Sequence, residues 1–163
     1  MRNLSIYCLL FVSITLSSCK GGVDWDIAPV TLQIYVQDSD GNDLLNENTP
    51  NNILSNDIKV TYNDEEYRVT SEDEEEILNR AYLAHFYGLE LTRTISGEYY
   101  LFFGEFNGTD DWDESLILDL GDGNTYNITF EHDITWLLGY PKISNKYYLD
   151  NKKQDSGTLQ ITK

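Results

Sequence analysis

Two loops of this 163-residue chain concentrate side-chain oxygens. Asp38-Ser39-Asp40-Gly41-Asn42-Asp43 sets them at alternate positions, the spacing by which calcium loops collect hard oxygen ligands, with Asp38, Asp40 and Asn42 as candidate ligands. Counted from Asp38, the twelfth position is Thr49, so the bidentate glutamate of an EF-hand is missing. The same residues suit a tight turn without metal, since glycine accepts positive φ and Asx side chains bond the backbone. The second loop, Asn107 to Glu114, crowds Asp110, Asp111, Asp113 and Glu114 around Trp112. Carboxylates this close repel one another unless they are solvated or neutralised by a cation. Trp112 among them is a candidate stacking platform for a sugar ring, with Asn107 and the carboxylates bonding its hydroxyls. The competing reading is a solvated loop whose tryptophan folds back to plug the end of the domain. The histidines are His85 and His132. Glu131-His132-Asp133 supplies acid and base on paper, but neighbours along a strand point to opposite faces. No G-x-S-x-G, H-E-x-x-H or phosphate loop occurs. The chain is therefore expected not to be an enzyme, with a carboxylate-dependent hydrolase as the residual alternative.

The remaining reactive side chain is a cysteine. Arg2 precedes an apolar stretch, Leu9 to Leu16, which ends in Leu16-Ser17-Ser18-Cys19. The stretch is too short for a permanent membrane span and suits a cleaved export signal. The four residues that close it resemble the bacterial lipobox. That resemblance implies cleavage before Cys19, a diacylglyceryl group on its sulfur and a new amino terminus at residue 19. Residues 1–18 are then a lipoprotein signal peptide, and 19–28 are the lipidated cysteine and a tether. Cleavage removes Cys8 and Arg2, leaving 145 residues with 10 basic against 28 acidic side chains, a net charge of −18. With Cys19 acylated, no thiol remains for a disulfide. The acyl chains bury several tens of methylenes at about 0.8 kcal/mol each, enough for stable anchoring.

The elements that would position these residues follow a period of two. Val30, Leu32, Ile34 and Val36 alternate with polar or amphipathic residues, as in a half-buried strand. Ile58 to Tyr62 and Tyr67 to Val69 flank Asn63-Asp64 and predict a hairpin. Leu89 to Ile95 and Glu98 to Phe106 flank Ser96-Gly97 and predict a second. Leu116 to Leu120 and Tyr126 to Phe130 flank Gly121-Asp122-Gly123-Asn124 and predict a third. Lys146 to Leu149 and Thr158 to Thr162 read as closing strands around Asp150-Asn151. One stretch differs: Ser71 and Glu74 form a capping box, and Ile77, Leu78, Ala81, Tyr82 and His85 recur at helical spacing up to Gly88. A short helix is expected over about 72–86, with an acidic irregular crossover as the alternative. Residues 29–163 are expected to form one mainly β domain, an antiparallel sandwich.

Two resemblances bear on this fold. Leu118-Asp119-Leu120-Gly121-Asp122-Gly123 resembles the W-D-F-G-D-G signature of PKD domains, with Leu118 in place of the tryptophan. The broader one combines the lipobox, Trp25-Asp26, Pro29-Val30, Asp40 to Leu45, Arg80-Ala81-Tyr82, His85 to Leu89 and Phe103 to Gly108 with the Gly-Asp-Gly turn. Together these are similar to a family of small lipoproteins of Bacteroidota-type bacteria. That similarity implies an Ig-like sandwich on the cell envelope and brings no catalytic or binding residues.

Composition narrows the partners. A net charge of −17 excludes phosphate-driven binding of DNA or RNA, which needs a basic face. Anionic lipid repels such a body rather than attracting it. Hydrophobic residues at 40 % and aromatic residues at 13 % exclude wholesale disorder. Lys142, Lys146, Lys152, Lys153 and Lys163 are half of the basic residues after the leader and gather in the last strands. The expectation is an outer-membrane lipoprotein, lipid-anchored through Cys19, that binds or scaffolds a glycan or an envelope protein partner. A glycan-binding or calcium-stabilised surface module is the alternative.

Overall fold

In the computed structural model, residues 25–71 and 86–163 are described. The leader, Cys19 and, but for its last residue, the helix expected over about 72–86 lie outside them.

The described chain is mainly β and builds a sandwich of two sheets. The first has five strands in the order β11 (Thr158–Thr162), β1 (Val30–Gln37), β6 (Tyr99–Phe106), β5 (Leu89–Arg93) and β4 (Thr70–Ser71). The second has six, in the order β10 (Lys152–Gln154), β9 (Tyr140–Leu149), β8 (Thr125–Leu137), β7 (Trp112–Asp119), β2 (Lys59–Tyr62) and β3 (Glu65–Arg68). Pairing is antiparallel except for β1 with β11 and β4 with β5. The three expected hairpins form at the expected turns. Asp150-Asn151 does turn the chain, but into the short strand β10, and β11 then crosses to the other sheet.

Alternation along β1 buries Val30, Leu32, Ile34 and Val36 and turns their neighbours outward. These residues face Leu116, Leu118, Ile128 and Phe130 of the second sheet in one core that also takes Leu101, Phe103, Phe106 and Tyr147. At about 1.5–3 kcal/mol for each large side chain, this burial is the main force holding the sheets together. Aromatic rings bridge the layers: Phe106 lies 4.8 Å from Phe130, and Tyr62 meets Phe103 edge-on at 5.7 Å. The Gly-Asp-Gly turn between β7 and β8 needs its first glycine twice over. Gly121 has a φ of 68°, and a Cβ there would lie 2.6 Å from the Asp57 nitrogen.

The longest hairpin, β8–β9, outruns the sandwich. Ile128, Phe130 and His132 are buried, but from Asp133 onward the strand is mostly exposed. Its register continues in pairs through Trp136↔Pro141 and Leu137↔Tyr140 to a two-residue turn, Leu138-Gly139. At about 3.4 Å per residue, the five steps from Asp133 to Leu138 carry the tip roughly 17 Å beyond the core.

Candidate functional site

The Asn107–Glu114 loop closes one end of the sandwich, where β6 leaves the first sheet and β7 enters the second. Its opening is locked by local bonds. The Asn107 amide donates to Asp110 Oδ2 at 2.7 Å, and Asn107 Oδ1 accepts from both the amide and the hydroxyl of Thr109. Asp111 accepts from the backbone N–H of Ile134, which ties the loop to β8 where the hairpin begins to project. Trp112 turns inward. Its indole N–H donates to the Asn107 carbonyl at 2.6 Å, and its ring packs on Phe106 and Phe130 and stacks on His132 at 5.1 Å.

Asp113 and Glu114 part company, because successive residues of β7 point to opposite faces. Asp113 sits directly opposite Glu131 on the outer face. Like charges so placed repel, and Lys146 offsets them with bonds to Glu131 at 2.5 Å and Asp133 at 3.5 Å. Glu114 lies beside the Tyr62 hydroxyl. Burial first, then the charge of Glu114 and its hydrogen bond, push that phenol up to about 12. The four carboxylates therefore do not converge. Asp110 and Asp111 hold backbone and amide groups, Asp113 faces outward and Glu114 faces Tyr62.

His132 organises the interior of this end. It is 1 % exposed, with Nε2 at 2.9 Å from the Gly108 carbonyl and Nδ1 at 2.6 Å from Asn145 Oδ1. The carbonyl can only accept, so Nε2 carries a proton. Gly108 is glycine for lack of room: a Cβ there would stand 2.3 Å from the Ala28 carbonyl. His132 thus cross-links the loop, β8 and β9, while its sequence neighbours Glu131 and Asp133 serve Lys146 on the far side of the sheet.

The Asp38–Asn42 loop is an Asx turn. Asp38 Oδ1 accepts the N–H groups of Asp40 and Asn42 at 2.9 and 2.8 Å, and Oδ2 accepts the Asn42 amide at 2.8 Å. The bonds from Asn42, side chain first, hold the Asp38 carboxyl below its ordinary value. Asn42 thus presents an N–H donor, not an oxygen, to Asp38. Among the described residues no three His, Cys, Asp or Glu side chains gather closely enough to hold a metal ion.

An open groove of about 390 Å³ runs between the start of β1 and β9, lined by Pro29, Thr31, Gln33, Ile143, Asn145 and Tyr147 among others. No carboxylate, amine, imidazole or thiol lines it.

The surface feature that the sequence reading missed is the tip of β8–β9. Trp136, Leu137, Leu138 and Tyr140 are 55, 65, 92 and 65 % exposed. Trp25, the first described residue, is pinned to this tip: its indole N–H donates to the Gly139 carbonyl at 3.0 Å, and its ring meets Tyr140 edge-on at 5.4 Å. The signal was present as an apolar run, Trp136-Leu137-Leu138-Gly139-Tyr140, with glycine but no Asx residue at its turn.

Set against protein-family models, curated proteins and solved structures, the chain matches nothing in any of the three. Among the described residues no helix is long and apolar enough to cross a membrane.

Proposed function

We propose that this chain is an outer-membrane lipoprotein, anchored through Cys19, whose sandwich is a non-enzymatic binding or scaffolding module of the cell envelope. The observation that carries the reading is Leu16-Ser17-Ser18-Cys19 at the end of an apolar stretch of export-signal length. The side-chain chemistry of the folded domain agrees with it. His132 spends both ring nitrogens on structural partners, and the groove beside β9 offers a ligand only hydroxyl, amide and backbone groups.

The glycan and calcium alternatives draw less support. Trp112 has its indole N–H turned inward and its ring stacked on His132 and packed on Phe106 and Phe130, which leaves less of it open to a sugar. Asp38 has both oxygens engaged within its own turn.

Metabolic labelling with a palmitate analogue tests the anchor. Wild-type protein should carry label and fractionate with outer membrane, and Cys19→Ala should lose both. Equal absence of label from the two proteins would overturn the reading.

A further inference from the structure

The tip of the β8–β9 hairpin is built for a lipid interface. Between Asp133 and Lys146 the chain reads Ile134-Thr135-Trp136-Leu137-Leu138-Gly139-Tyr140-Pro141-Lys142-Ile143-Ser144-Asn145, with Lys142 as its one charge. In a chain of −17 this is where the acidic body is absent and a cation faces outward. Leu137 and Leu138 supply apolar area, and Trp136, Tyr140 and the docked Trp25 carry ring bodies with polar atoms. That pairing is what residues at the boundary of headgroups and acyl chains require.

The turn itself points the same way. Leu138 holds a φ of 52° and Gly139 one of 84°, a geometry that Asn-Gly adopts at little cost. The other two-residue turns that take it, Asn63-Asp64 and Asp150-Asn151, use Asx residues throughout. A leucine at φ 52° is strained, and a side chain 92 % exposed buries little among the described residues to offset that strain.

We infer that this tip is a second membrane contact, inserting Leu137, Leu138 and the rings of Trp136 and Tyr140 into the interfacial layer of a phospholipid bilayer. The occupant follows from chain length. Cys19 is six residues from Trp25, and six residues span at most about 20 Å, so an anchor at Cys19 would hold the tip within that reach of the membrane. In this respect the inference rests on the anchoring reading above. Lys142 then sits at phosphate level, while Asp26 and Asp133, which also lie near the membrane side, stay in water. The domain would be held by two points rather than swinging on a tether.

The test uses the full chain, purified from its own membranes and reconstituted in phosphatidylcholine vesicles with or without bromine in the acyl chains. Bromine quenches tryptophan on contact, and Trp136→Phe and Trp112→Phe variants assign the signal. Mass analysis of the amino-terminal peptide reports acylation separately. Acylated protein whose Trp136-dependent emission is lost in brominated vesicles supports the inference. Acylated protein that floats with vesicles while Trp136 emission stays unchanged overturns it and leaves the anchor standing. Unacylated protein that still floats with quenched Trp136 upholds the hairpin contact and sinks the anchor. A third variant, Leu137→Asn with Leu138→Asn, should lower quenching of the tryptophans with no loss of thermal stability. If that variant instead abolishes a cross-link to a second copy or to another protein, with Trp136 unquenched throughout, the tip is a protein interface and the inference fails.

Discussion

The two halves of the β8–β9 hairpin share a register but not a purpose. Near the core, Phe130 pairs with Tyr147 and His132 with Asn145, and Ile128, Phe130, His132 and Tyr147 are buried. Past Asp133 the same ladder continues, yet its large apolar side chains stand in solvent. The two ends of β9 differ likewise: Asp150-Asn151 closes one with Asx residues, Leu138-Gly139 closes the other with a strained leucine. A fold selected for stability alone would have no reason to keep the distal half. The inner half is where substitutions should register as lost stability, and the outer half is where they should not.

The sharpest way to break this division is to empty its inner half. Phe130→Ala leaves a void among Phe106, Trp112 and the strands on either side, and should cost about 3–5 kcal/mol in denaturant unfolding. A cost near zero would mean that the described core does not carry the fold. His132→Phe is the next largest. It keeps a ring against Trp112 but leaves the Gly108 carbonyl without its donor and the Asn145 amide without its partner. The expected loss is about 1–3 kcal/mol. A variant as stable as wild type would show that water replaces the imidazole at no cost.

Tyr147 gives the inner half a pH signature. Burial raises its phenol above the ordinary value near 10, with a hydrogen bond from Asn145 acting the other way. As pH climbs past that value the unfolded chain sheds this proton before the folded one does. The unfolded state then binds fewer protons, so stability falls with rising pH. Tyr147→Phe should start below wild type at pH 8, through the lost bond, and close the gap as pH passes about 10. Parallel melting curves across that range would refute the assignment. Tyr62, pushed up to about 12, contributes in the same direction and sets the slope that remains.

How much of this division could be read from the residues follows the same line. Strands whose two faces differ, such as β1 and the inner half of β8, announce themselves by alternation, and Asn63-Asp64 and Ser96-Gly97 mark their turns chemically. The outer half of the hairpin is mostly exposed, so Tyr140 to Asn145 shows no alternation, and Leu138-Gly139 lacks the Asx residue that marks the comparable turns. The Asn107–Glu114 loop was legible as acidic but not as structured. Which carboxylate meets Ile134, Lys146 or Tyr62 depends on contacts between residues far apart in sequence. The inward turn of Trp112 depends on a glycine at 108 and on His132, neither of which advertises the pairing.

Leu138→Asn reverses the sign. Asn accepts the left-handed region far more readily than leucine, so the variant should be more stable by about 1 kcal/mol. Loss of stability would mean that Leu138 packs in solution against something beyond the described fold.

Trp136→Ser should do least of all in solution, and its smallness is informative. Removing a buried tryptophan from a core-building strand would cost about 3–5 kcal/mol, whereas removing an exposed one from a projecting tip should stay within about 0.5 kcal/mol. Serine is a poor strand residue, so any residual cost reflects propensity rather than packing. The comparison between halves then becomes quantitative: the ratio of the Phe130→Ala loss to the Trp136→Ser loss measures how completely the hairpin separates fold from surface. The measurement is denaturant unfolding in detergent-free and vesicle-bound states. If the outer half meets a bilayer, the Trp136 effect stays near zero in the first state and grows in the second, because only there does the indole have something to leave.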